Sequence, residues 1–448
     1  MSHLAETAGA AARRAGPLGF FGAVKTITGV AVLVEDRLGA LEVGARVEIE
    51  TDGGSLAAEV VGVTDGEAVC LPFGGVAGVR RGARVSFASP HGRVAPSSAW
   101  LGRVVDALGR PVDGKGPLAP GPVARDLRAT PPPAATRGRL GKTVAFGVKA
   151  LDVFCPARSG QRLGVFSGSG IGKSALLAMI ARNTECDVAV IALIGERGRE
   201  VRDFIEDSLG PEGLARSVII VATSDEPAMM RREAAYLAMS VSEAFREQGA
   251  HVLCLMDSLT RVAAAQREIG LAAGEPPTSK GYTPSVFSLL PAILERAGPG
   301  RDRPGEGAIT GVFTVLVEGD DHDEPIADAA RAILDGHIVL SRKIAERGRF
   351  PSIDILKTVS RGADACLADD RLDLVRQARW LASVYDDVGE MVRIGAYRTG
   401  ANEEVDRAVA FHPLLEGFLA QDSAQFADLD DAFDGIAKIL SDQEISEE

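Results

Sequence analysis

The sequence predicts an α/β protein built on a parallel sheet, with a small all-β unit ahead of it and a helical region behind. Three observations predict this. Up to about His91 the chain shows short β-type runs broken by glycine. Between Arg162 and Leu340 aliphatic strands alternate with helical segments, and from Leu372 onward the pattern is helical and increasingly acidic. Short, evenly spaced strands belong to a barrel or sandwich. Continuous aliphatic strands separated by helices belong to a parallel sheet covered on both faces.

In chain order, Leu4–Arg14 could form one helix, too short to be stable alone. Strands are expected over Gly22–Val34, Arg46–Glu50, Leu56–Val63, Ala68–Pro72 and Arg84–Ala88. From Trp100 to Pro133 the chain is rich in glycine and proline and reads as an extended connector, not a sheet interior. Buried strands follow at Arg162–Ser167, Asp187–Ile194, Ser217–Ala222, His251–Met256, Ala308–Val317 and His337–Leu340. Helices lie between them at Lys173–Asn183, Arg199–Leu209, Glu226–Gln248 and Pro284–Arg296.

A chain of 448 residues has room for about three domains. With 46% hydrophobic and 25% charged residues it has ample apolar material to bury, which excludes disorder as its main state. Aromatics are only 5%, so the core must be mostly aliphatic. A formal net charge of −13 makes a poor general docking surface for nucleic acid or anionic lipid. No apolar run approaches the roughly 18 residues a membrane span needs, and the N-terminus lacks a secretory layout. The five cysteines stand singly without CxxC spacing, which suits a reducing compartment and buried, unpaired thiols.

The strongest motif is Phe166-Ser-Gly-Ser-Gly-Ile-Gly-Lys-Ser174, between a predicted strand and a predicted helix. Small residues let backbone N–H groups turn inward around phosphate oxygens, and the helix N-terminus adds a favourable dipole. Lys173 would neutralise β- and γ-phosphates and the Ser174 hydroxyl would ligate Mg²⁺. The strict pattern has glycine where Ser167 stands. At the end of the next strand comes Glu196, where ligands sit in a parallel sheet; a carboxylate there can align a water on the γ-phosphate. Alone it would read as a helix-start acid; beside a phosphate cradle it reads as catalytic. Arg197 beside it could hold the terminal phosphate. His251–Met256 ends in Asp257, a second Mg²⁺ handle acting through water, and Arg261 shortly after could sense the γ-phosphate.

Taken together, GSGIGKS, IGERGREVRDFIED, HVLCLMDSLTR, GEPPTSKGYTPSVF, VEGDDHDEPIAD and VSRGAD, in this order, resemble the rotary-type ATPases from about Gly22 to Leu419. The similarity is greatest to the homohexameric ATPases of type III protein export, the flagellar export ATPases in particular. The resemblance implies an N-terminal β-barrel (19–92), a RecA-like P-loop domain (93–365) and a C-terminal helical domain (366–448), after a partner-binding segment (1–18). It implies ATP and Mg²⁺, with ATP held by Gly168, Ser169, Gly170, Ile171, Gly172, Lys173, Ser174 and Ala175. It makes Glu196 the catalytic carboxylate and Arg361, in Val359-Ser-Arg-Gly, a finger inserted into a neighbouring subunit. Without that context Arg361 would read as an ordinary surface arginine. Phe350 would pack on adenine, in a place where the family often has tyrosine, and Tyr397 would complete the base pocket.

Partners implied by the resemblance are other copies of the chain in a hexamer, a stator-like regulator at the N-terminus, a central-stalk-like protein, a membrane export gate, and export substrates with their chaperones. The place implied is the cytoplasm, at the inner face of the membrane. A virulence-type secretion ATPase shares the same chemistry. A non-catalytic nucleotide subunit of a rotary synthase need not keep Glu196. An RNA-dependent hexameric translocase would show aromatics and basic residues on its barrel; here that region offers only Phe20, Phe21, Phe73 and Phe87, so no nucleic-acid partner is expected.

Overall fold

The computed structural model describes residues 21–36, 39–317 and 324–444. The helix expected over Leu4–Arg14 and part of the VEGDDHDEPIAD stretch lie outside the described residues.

Six strands close into a barrel: β1 (Phe21–Thr28), β2 (Ala31–Glu35), β3 (Arg46–Thr51), β4 (Gly54–Thr64), β5 (Glu67–Pro72) and β6 (Arg84–Ser89), in the order β1-β2-β5-β4-β3-β6. The choice between barrel and sandwich is thereby resolved. Alternation places Val32, Val34, Val47, Ile49, Ala58 and Val85 inside. The single strand expected over Gly22–Val34 is two, because Gly29 adopts φ +59° and turns the chain back between them.

The barrel is bolted to the next unit by buried charge. Glu59 on β4, 2% exposed, accepts hydrogen bonds from Arg128 and, at 2.7 Å, from Arg232. Arg46 of β3 lies 3.6 Å from Glu59 and also bonds Glu233. Burial alone would push the Glu59 carboxyl up, but the three guanidinium groups outweigh it and hold the group below its ordinary value near 4.5. A depressed carboxylate contributes stability above its unfolded value, lost as pH falls through the lower folded one. Glu59→Gln should therefore cost about 3–5 kcal/mol at neutral pH. That loss is measured as a lower urea midpoint, and the gap to the parent should narrow on acidification.

The connector holds two strands its composition concealed, one of them Arg125–Asp126, which pairs antiparallel with Arg93–Val94. Arg103–Asp106 (β7) is an edge strand paired in parallel with Ser217–Ala222, so this stretch is not wholly an extended connector. An edge strand needs only one partner, and four residues among glycines and prolines leave little periodicity to read. The other strands of this sheet are β8 (Arg162–Ser167), β9 (Val188–Ile194), β10 (Ser217–Ala222), β11 (His251–Asp257), β12 (Ala308–Leu316), β13 (Gly336–Val339) and β14 (Val359–Ser360). With the two-residue strand Gly298–Pro299 beside β12 they form a nine-stranded sheet in the order β14-β13-β8-β12-β11-β9-β10-β7. Along this path only β13–β14 is antiparallel.

Helices α1 (Lys173–Asn183), α2 (Gly198–Asp203), α3 (Ala228–Arg246), α4 (Leu259–Ala272), α5 (Pro284–Leu294) and α6 (Pro325–Ile333) follow the strands. The helix expected over Arg199–Leu209 is α2 followed by a π turn, Phe204–Leu209, and α4 and α6 add to those expected. α3 and α5 cover one face; α1 lies on the other. The C-terminal helices α7 (Asp369–Arg393), α8 (Glu403–Leu419) and α9 (Leu429–Glu444) pack into the α1 side of the core through Leu381, Phe411, Leu415 and Phe433. Among the described residues no helix is long and apolar enough to cross a membrane, and the five cysteines are unpaired.

Candidate active site

Because β8, β12, β11 and β9 are parallel neighbours, their carboxyl ends share one rim of the sheet. β8 delivers the loop 168–172 and α1, β11 delivers Asp257, and β9 delivers Glu196. Lys173 in the first turn of α1 spans the gap: its Nζ donates to Glu196 Oε1 at 3.1 Å and to Asp257 Oδ1 at 2.5 Å. Burial would lower the ammonium's pKa, but the charges of Asp257 and Glu196 prevail and hold it above its ordinary value. The cradle, the two carboxylates and the lysine thus meet in one place.

The loop itself is braced from afar. Ser352 Oγ donates to the Ile171 carbonyl at 2.6 Å, and Arg342 Nη2 to the Ser169 carbonyl at 3.2 Å. Both supports lie over 170 residues away in sequence, where no local signal marked them. Gly172 has φ +90°, and a Cβ there would stand 3.1 Å from Phe350 Cδ1, so the Phe350 ring, 45% exposed, lies against the loop's last glycine. Gly168 and Ile171 are buried; Ser169, Gly170, Ser174 and Ala175 are exposed.

The remaining candidates divide. Arg261 packs its stem on Gly195, the residue before Glu196, where a Cβ would approach it to 2.8 Å. Arg197 instead faces solvent and pairs with Glu200 at 3.0 Å. Arg361 is exposed beyond the edge strand β14; its backbone N–H donates to the Asp335 carbonyl and its Nη2 to the Arg331 carbonyl, none of them cradle groups. The Tyr397 hydroxyl lies 2.8 Å from Asp406 Oδ1 and 3.0 Å from the Asn402 carbonyl. Those bonds tie it to the start of α8 and not to the cradle.

The residues present fit a nucleotide phosphate with a divalent ion. Ser167, 1% exposed where the strict motif has glycine, keeps a buried hydroxyl without a protein partner at the foot of the loop. Hard oxygen donors, the Ser174 hydroxyl and the Asp257 carboxylate, suit Mg²⁺. Among the described residues there is no cluster of three or more acidic, histidine or cysteine residues that could hold a metal ion.

The chain matches the ATP synthase alpha/beta family, nucleotide-binding domain, over residues 147–360, and that family's beta-barrel domain over 24–88. Residues 367–438 match the T3SS EscN ATPase C-terminal domain. A flagellum-specific ATP synthase of Caulobacter vibrioides is 53% identical over 97% of this chain and 99% of its own length. The assembled ATPase EscN from the type III secretion system of enteropathogenic E. coli superposes with a TM-score of 0.88 at 38% identity, covering 94% of this chain and 100% of that one. The same ATPase in complex with its central stalk EscO gives 0.85 at 37%, with the same coverage. The chain is an ATPase of the ATP synthase alpha/beta family, in its type III export branch.

Proposed function

We propose that the chain hydrolyses ATP in a Mg²⁺-dependent, homohexameric ring that energises type III protein export for flagellum assembly. The observation that carries the catalytic part is the convergence of Lys173 with Glu196 and Asp257 beneath the glycine loop. Lys173 bridges both carboxylates with its single positive charge. Arriving β- and γ-phosphates compete for the same ammonium, and each Lys173–carboxylate contact exchanged frees a carboxylate for its own task. Glu196 then orients the attacking water and takes its proton. Ser174 and Asp257 would hold the Mg²⁺, which when bound neutralises charge developing on the β- and γ-oxygens.

Arg261, packed on Gly195, serves as the second cation of the pocket, and Phe350 offers a face for adenine. Arg361, whose own bonds lie at the sheet edge, serves the cradle of a neighbour. A closed ring of identical chains repeats that heterologous contact. The flagellar relative supports flagellar cargo, and the assembled relative with its stalk supports a ring turned against a central-stalk-like partner. The N-terminal segment binds a stator-like regulator, and the ring works at the cytoplasmic face of the membrane, delivering substrates and chaperones to the export gate.

Lys173→Ala tests the core of this reading. Loss of a charge-assisted phosphate contact worth about 1.5–3 kcal/mol should weaken binding of a fluorescent ATP analogue about 10- to 100-fold. Parent-like affinity would remove the loop from nucleotide binding. ATPase activity against protein concentration tests the ring, where a cooperative rise is expected.

A further inference from the structure

Asp257 has a second partner that no motif announced. Thr314, on the adjacent strand β12 and fully buried, places its Oγ1 2.7 Å from Asp257 Oδ1 and 3.5 Å from the Met256 carbonyl. Both neighbours are acceptors, so the hydroxyl is the donor, and the shorter contact takes its proton. Asp257 Oδ1 therefore receives two donors, Thr314 Oγ1 and Lys173 Nζ.

We infer that Thr314 is the positioning residue for Asp257: its hydroxyl keeps Oδ1 turned to the sheet when phosphate draws Lys173 away, leaving Oδ2 aimed at the pocket. The reason is a matter of which donor moves. Lys173 sits on a flexible stem and is the group phosphate recruits. Thr314 is β-branched and locked in a central strand between Asp257's strand and the cradle's strand. Without it, an Asp257 freed by Lys173 would rotate about its side-chain bonds, and the geometry for a divalent ion would be lost at the moment it is needed. The inference rests on the assignment of Asp257 to the Mg²⁺–nucleotide site.

The test compares Thr314→Val, which keeps the shape and deletes the donor, with Thr314→Ser, which keeps the donor. Binding of a fluorescent ATP analogue is measured in EDTA and across a Mg²⁺ titration, beside steady-state ATPase activity. Thr314→Val is expected to raise the Mg²⁺ concentration for half-maximal metal-dependent binding about tenfold, with metal-free binding unchanged, and Thr314→Ser to restore it. Should the valine variant fold poorly, Thr314→Ala deletes the same donor with the same expected readout. In an Asp257→Asn background Thr314→Val should add nothing further. Parent-like Mg²⁺ dependence in Thr314→Val overturns the inference, as does an equal loss of metal-free binding, which is what a merely structural residue would give. If Asp257→Asn itself leaves the Mg²⁺ dependence unmoved, it is the site assignment that fails.

Discussion

Glu196→Gln is expected to lower kcat by about 10²- to 10⁴-fold, the range a positioned general base contributes, while ATP still binds. The substitution is nearly isosteric, and the amide oxygen still accepts from Lys173, but the side chain no longer takes a proton from water. Structural collapse is not expected, because Lys173 retains Asp257 at 2.5 Å and Glu196 is tied through its backbone to the end of β10, its carbonyl accepting from Ser224 N–H at 3.0 Å. Affinity should rise if anything. In the parent the Glu196 carboxylate competes with phosphate for Lys173, and replacing it by a neutral amide weakens that competition and removes a repelling charge. Steady-state turnover and equilibrium binding of a fluorescent ATP analogue separate the two effects. Retained hydrolysis would take the catalytic role away from Glu196.

How much of this pocket could be read from the chain alone follows from how local each signal is. The cradle was legible because strand, small-residue turn and helix start lie within thirteen residues, Arg162–Ser174. Glu196 and Asp257 were legible because each closes an apolar strand, and a parallel sheet gathers such ends on one rim. Thr314 was not, because a hydroxyl inside the run Ala308–Leu316 only gains meaning once β12 is known to lie between β8 and β11. Ser352 and Arg342 were hidden likewise, since each reaches a loop backbone carbonyl from more than 170 residues away in the chain. The barrel strands showed through short, evenly spaced β-type runs broken by glycine. The turn at Gly29 was missed because apolar residues continue on both sides. Tyr397 was attributed to the base pocket by resemblance alone, and in the fold its hydroxyl bonds the Asn402 carbonyl and Asp406.

Arg361→Ala should reduce turnover by about 10³- to 10⁵-fold, as removal of an arginine finger does in phosphoryl transfer, although no bond of this residue reaches its own cradle. Its Nη2 donates to the Arg331 carbonyl at 3.2 Å and the residue is exposed at the sheet edge. Nothing in its own fold therefore requires so large an effect, and stability should hardly change. The decisive arrangement is a mixture with Glu196→Gln. In a ring of the two variants, a cradle with Glu196 comes from an Arg361→Ala subunit, and an intact finger comes from a Glu196→Gln subunit. At equal, random mixing about a quarter of the contacts then join a working cradle to a working finger. Two preparations that are each inactive should therefore regain a substantial fraction of the parent's ATPase rate. The fraction should peak near equal amounts and fall away on either side. A finger acting within its own chain predicts the reverse, since every subunit in the mixture still lacks one essential group. No recovery at any ratio, with rings shown to contain both variants, would require Arg361 to act in cis or not at all.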